Sequence, residues 1–139
     1  MSPITPEIRA CAEILTGNDV CVEKAKSLLG EYHLPDGLLP VKDVEELGFV
    51  KETGFFWIKQ KNDITHEFEK AGRHISYATE ISSYFENCKI KKLSGVKSKE
   101  LMIWISLTEI YAESPTSDNI TVNTPTGISK TFPKDAFMA

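Results

Sequence analysis

The sequence predicts an α+β fold: two N-terminal helices followed by an antiparallel β-barrel-like, strongly curved sheet. Three observations carry that prediction. Apolar residues recur at helical spacing through residues 1–33. After the connector HLPDGLLP the apolar period drops to that of a strand. From there the apolar runs are short and separated by turn residues, the pattern of antiparallel sheets that close on themselves. The chain is expected to be a single domain over 1–139, with a helical segment at 1–33 and a barrel-like region at 41–139.

Thr5-Pro6-Glu7 reads as a helix start. The threonine hydroxyl can cap, proline's fixed φ suits the first helical position, and the glutamate complements the positive end of the helix dipole. Ile8, Ala12 and Leu15 follow at helical spacing, and Gly17-Asn18 ends the run. Asn18 or Asp19 can cap a second helix from Val20 to Tyr32, with Cys21, Ala25, Leu28, Leu29 and Tyr32 on its apolar side. Two prolines and a glycine then make a turn-rich connector.

Lys51-Glu52-Thr53-Gly54, flanked by apolar runs, predicts a hairpin. Phe55 to Ile58 is apolar on both faces, so that strand needs cover on both sides, an interior on one and a helix on the other. Ile64, His66 and Phe68 alternate with Thr65, Glu67 and Glu69, which puts His66 on the inward face. In HISYATEISSYFE the inward residues are Ile75, Tyr77, Ile81 and Phe85, with Ser76, Glu80 and Ser82 outward. Cys88 to Leu93 predicts a shorter strand with a bulge between Ile90 and Leu93, where the apolar pattern slips. A short basic loop holding Lys97 and Lys99 leads into the most apolar run, LMIWISL, which predicts the central strand. Two short strands around Asn123 to Gly127 and a closing turn at KDAF complete the order.

The net charge of −4 is unevenly spread: residues 1–58 hold 5 basic and 10 acidic side chains, residues 59–139 hold 11 and 10. Only residues 86–100 approach a basic patch, which argues against general nucleic-acid binding. Cys11, Cys21 and Cys88 fit neither a disulfide framework nor a zinc pattern and are read as free thiols of a reducing compartment. The first residues have Pro, Glu and Arg where a secretion signal needs an apolar core, and no run nears the roughly 18 apolar residues of a membrane span. A cytoplasmic protein with no integral membrane association is expected, and the sequon at Asn119 is then a coincidence.

Few residues carry recognisable chemistry. An inward His66 has two readings: a ligand-anchoring or acid–base group inside a lumen, or a core histidine bonded to backbone. His33 and His74 lack metal-type spacing with it, and no metal site or cofactor is expected. Ser94-Gly95-Val96-Lys97 matches S-x-x-K, but that hydrolase motif opens a helix and this one precedes a strand. Arg9 and Arg73 are the only arginines; Arg73-His74 is either an anion cradle or an ordinary surface pair. Lys89, Lys91, Lys92, Lys97 and Lys99 form the one coherent charge feature. They keep apolar strands from pairing with other chains in one reading and meet an anionic surface or ligand in the other.

The stretches HLPDGLLPVKDVEELGF, KETGFFWIKQK, ISYATEIS, KIKKLSGVKSKELMIWISLTEI and GISKTFPKDAF, in that order, resemble the plant domain of unknown function 538 family, closest to members with a short helical start and no signal peptide. Ala78 departs from the glycine of many relatives, inside a strand. The resemblance implies a β-barrel-like fold with N-terminal helices, a proposed likeness to lipid-binding bactericidal/permeability-increasing proteins, links to stress responses and trichome growth, and a suggested chlorophyll binding or hydrolysis. It implies no agreed catalytic set.

The resulting expectation is a non-enzymatic binding protein for an apolar or amphipathic small molecule, a lipid or pigment. The ligand would enter a barrel mouth lined by Phe56, Ile58, Tyr77, Ile103 and Ile105, with His66 orienting its polar end and Lys97 or Lys99 meeting an acidic headgroup. An ester hydrolase using Ser94 or Cys88 with His66 is the alternative, and a protein-interaction module without a ligand is the third.

Overall fold

The computed structural model describes residues 3–138. Helix α1 spans Pro6–Cys11 and is capped as its sequence suggests, with Thr5 Oγ1 accepting the Ile8 N–H at 3.1 Å. It stops sooner than expected. Ala12 turns extended, and Glu13–Thr16 becomes strand β1, paired antiparallel along β2 (Val44–Val50). The neighbouring strand's unpaired backbone outweighs the weak helical pattern of Ile8, Ala12 and Leu15. Helix α2 runs Asn18–Glu31 and buries Cys21, Ala25, Leu28 and Leu29. Asn18 does not cap it; its Oδ1 accepts the Val44 N–H at 3.0 Å instead and ties the helix start to the sheet.

The expected hairpin joins β2 to β3 (Phe55–Gln60). Next come β4 (Ile64–Phe68), the long β5 (Arg73–Glu86) and β6 (Lys89–Glu100), and the short β7 (Ile103–Ser106), β8 (Glu109–Tyr111), β9 (Asn119–Asn123) and β10 (Ser129–Pro133). A single 3-10 turn, Lys134–Phe137, follows. All pairings are antiparallel, in the order β1-β2-β3-β5-β6-β8-β9-β10, with β4 beside the first half of β5 and β7 beside the second half of β6.

The fold is therefore α+β, but the closed, strongly curved barrel is not formed. No ladder joins β1 to β10 among the described residues, and both are edges. Side chains bridge β4 and β5 to β10 and the closing turn. Phe137 packs edge-on against Phe68 and Phe132, and the Arg73 guanidinium lies over the Phe132 ring.

The doubly apolar strand β3 finds its two covers. Phe56 and Ile58 enter the main core with α2, Leu47, Ile81 and Phe85. Phe55 and Trp57 face the other way, under Ile8 of α1, Ala12 of the link and Ile14 of β1. Gly48 makes room there, since the Trp57 ring lies directly over it.

A polar clamp locks that second layer. Arg9 donates to both Glu46 carboxylate oxygens at 2.8 and 3.0 Å, and the Trp57 indole N–H donates to the same group at 2.8 Å. These bonds hold the Glu46 carboxyl down to about 2 against an ordinary 4.5, the Arg9 bond contributing most. A depressed carboxyl stabilises the fold above its unfolded value and loses that contribution as pH falls towards the folded one. Wild type is expected to lose about 1–2 kcal/mol between pH 4.5 and 2 from this group, after discounting for the partly exposed Arg9. Glu46→Gln should lack that component. Urea titrations of both proteins across this range measure it, and parallel pH profiles would rule it out.

The predicted bulge in β6 is present. From Ser82↔Ser94 to Tyr84↔Lys91, β5 advances two residues while β6 takes three, and Lys92 sits at φ 52. The opening of LMIWISL is the main departure. Its expected basic loop is the second half of β6, and the expected central strand is a tight turn at Leu101-Met102 followed by β7. Leu101 is 94% exposed and Met102 86%. Ser82, expected outward, is buried against the Trp57 side of the sheet, where it pairs with Trp57 across the ladder.

Candidate active cavity

A cavity of about 770 Å³ lies on the inner side of the sheet. The first half of β5 supplies Ile75 and Tyr77, the second half of β6 supplies Val96 and Ser98, and β7 with the segment after it supplies Ile105 and Leu107. Ile110, Val122 and Phe132 come from β8, β9 and β10, and Leu38, Phe68 and Phe137 close the floor and the open side. Strand alternation explains the selection: Ile75 pairs with Ser98 and Ser98 with Ile105, so one pleat face carries all three inward.

The interior is mostly apolar, with the Ser98 hydroxyl among its inward groups. The buried Tyr77 hydroxyl donates to the Leu38 carbonyl at 2.8 Å, which satisfies it and ties the connector to the cavity wall. Burial raises this phenol well above its ordinary value, so it stays neutral. Charge gathers at the rim instead. Glu100 accepts from Arg73 Nε at 3.1 Å and from Lys130 Nζ at 3.3 Å. Lys99 lines the same rim and lies over the Trp104 ring, 5.9 Å from its centroid. Two cations, Arg73 and Lys130, thus meet one carboxylate at the opening.

Of the residues expected to form the site, Tyr77, Ile105 and Lys99 come together here. The others do not. Phe56 and Ile58 are completely buried in the α2 core, because the cover they need is the helix rather than a lumen. Ile103 is 62% exposed beside the β6–β7 turn. Lys97, opposite Ser106, lies on the outer pleat face. His66 is exposed, edge-on to Phe68, and lines a separate cleft of about 630 Å³ with Asp36, Pro40 and Asp135. It lies on β4, an edge strand covered on neither face at that position, so alternation alone did not bury it.

The register also separates the hydrolase candidates. His66 pairs with Ile75, which pairs with Ser98; Ser94 lies opposite Ser82, and Cys88 precedes the far end of β6. No hydrogen bond joins His66 to either nucleophile among the described residues. No three His, Cys, Asp or Glu side chains gather as metal ligands would among those residues either.

Sequence reasoning missed Glu100, Lys130, Phe132 and Phe137. Arg73 was legible as a possible anion cradle, and its true partner lies 27 positions away. Nothing local marks such a pairing; only the register of β5 on β6 creates it.

The sequence model of the family described as "Protein of unknown function, DUF538" matches residues 25–138. The chain belongs to the DUF538 family. The match starts within α2, so it takes in every cavity-lining residue of this DUF538 protein while α1 and β1 lie before it. No curated protein and no solved structure matches the chain. No helix among the described residues is long and apolar enough to cross a membrane.

Proposed function

We propose that this DUF538 protein is a non-enzymatic binder of an amphipathic small molecule with an acidic head, of the lipid or pigment class. The observation that carries the reading is the pairing of apolar walls with a cationic rim in one cavity of about 770 Å³. That size lies within the range of about 300–1,000 Å³ typical of small-molecule sites, which combine apolar linings with a few polar anchors. An apolar tail would replace water against Ile75, Val96, Ile105 and Phe132. An acidic head would compete with Glu100 for Arg73 and Lys130, or take Lys99 directly. We place this activity in the cytoplasm, a reading supported by three free thiols, two of them buried.

Native mass spectrometry of the protein with a long-chain fatty acid and the matching fatty alcohol tests the reading. A one-to-one adduct is expected with the acid, weaker by about tenfold with the alcohol, consistent with the loss of one charge-assisted hydrogen bond. Ile105→Phe, which narrows the cavity, should weaken the adduct. Absence of any saturable adduct from the acid, the alcohol and a lipid and pigment extract would overturn the reading.

A further inference from the structure

We propose that the β6–β7 hairpin docks this protein onto an anionic lipid bilayer, with its tip inserted and the cavity rim held at the headgroups. Four consecutive large apolar residues occupy the tip: Leu101, Met102, Ile103 and Trp104, exposed by 94, 86, 62 and 42%. They project from both faces of the hairpin, since residues alternate and Lys99 pairs with Trp104 while Glu100 pairs with Ile103. A docked protein would cover one face. A bilayer surrounds a hairpin tip on every side.

The turn itself does not need these residues. Leu101 sits at φ 56, a conformation for which glycine or asparagine is the usual solution in a two-residue hairpin turn. A leucine held there carries backbone strain, and such strain persists where a side chain is wanted for function. The sequence therefore places its most exposed leucine at a site that favours a different residue.

Charge complements the apolar tip. Lys97 and Lys99 lie on the hairpin's outer face, about 7–13 Å behind the turn at the usual strand rise. Neither belongs to an ion pair among the described residues. On the cavity side of the same hairpin end, Arg73 and Lys130 share the single carboxylate of Glu100, while the neighbouring His74 faces Glu67 at 3.7 Å. This positive end belongs to a chain of net charge −4, so an anionic surface would orient the molecule tip-first. Leu101 also lines the cavity opening, so docking would present that opening to the lipid. Docking stands without the small-molecule reading; exchange of a ligand with the membrane rests on it.

The two tryptophans provide the readout. Trp57 is completely buried, whereas Trp104 is at the tip, so an emission shift on adding vesicles reports Trp104. Phosphatidylcholine vesicles containing phosphatidylserine should shift the emission to the blue and sediment the protein. Pure phosphatidylcholine should do so at least tenfold more weakly, and added salt should erode the difference. Leu101→Asp and Met102→Asp, at exposed positions, should each reduce partitioning about tenfold or more. Lys97→Glu with Lys99→Glu should remove the preference for the anionic vesicles. Ile105→Phe should dock like wild type, which separates this proposal from ligand binding in the cavity. No shift and no sedimentation with either vesicle would overturn it. So would a concentration-dependent dimer in sedimentation velocity that Leu101→Asp abolishes, since a second copy would then be the occupant.

Discussion

Gly48→Ala is expected to cost about 2–4 kcal/mol of folding stability, far more than a methyl on an ordinary strand. Gly48 pairs with Trp57 across β2 and β3, and a Cβ on Gly48 would fall inside the van der Waals shell of three indole ring atoms. The ring has nowhere to move. It is completely buried, lies beneath Ile8, Ala12 and Ile14, and is tethered through its N–H by the 2.8 Å bond to Glu46. Displacing it would strain the packing and weaken the hydrogen bond that helps to hold α1 down, and each effect is worth about 1 kcal/mol or more. Urea denaturation gives the loss directly. Trp57→Leu is itself destabilising, but the added cost of Gly48→Ala should largely vanish in that background. A double-mutant cycle with no coupling would show that the glycine serves the backbone and not the ring.

The same pair shows what was legible from sequence. FFWI announced a strand with two apolar faces, and it has two covers. Thr5-Pro6 announced a helix start, and the cap forms. The slipped pattern between Ile90 and Leu93 announced a bulge, and Lys92 provides it. These signals are local, and local chemistry decides them. The failures share a different cause. Leu15 became a strand residue because β2 offered an edge. His66 stayed exposed because no layer covers β4 there. LMIWISL alternates like a buried strand, yet its first four residues form a protruding tip, because hydrophobic pattern reports what could be buried and not what is. Two of the strongest site residues, Glu100 and Lys130, were invisible for the same reason: their roles arise from which strands lie beside each other and which edges approach.

Gly95→Ala is expected to exceed even the Gly48 variant, at more than about 3 kcal/mol, and to damage the cavity as well. Between Tyr77↔Val96 and Ser82↔Ser94, β5 advances five residues while β6 advances two. The surplus on β5 bends the pair, and Gly95 is the inner side of that bend. Its φ is 91, and an added Cβ would overlap the Glu80 carbonyl oxygen and approach Ile81 Cα to 3.3 Å. Backbone atoms of a paired strand cannot rotate aside as a side-chain end can. Gly127 provides the comparison. It has a similar φ of 84 but nothing near its missing Cβ, so Gly127→Ala should cost only the conformational strain, about 1–2 kcal/mol. The difference between the two variants isolates the close approach of β6 to β5. That approach sets the register beyond it, where Val96 and Ser98 face the cavity and Glu100 meets Arg73. If Gly95→Ala and Gly127→Ala lose equal stability in urea, the bend tolerates a side chain and the register has another origin. If Gly95→Ala alone is severely destabilised, the cavity depends on one glycine that holds two strands closer than any other residue permits.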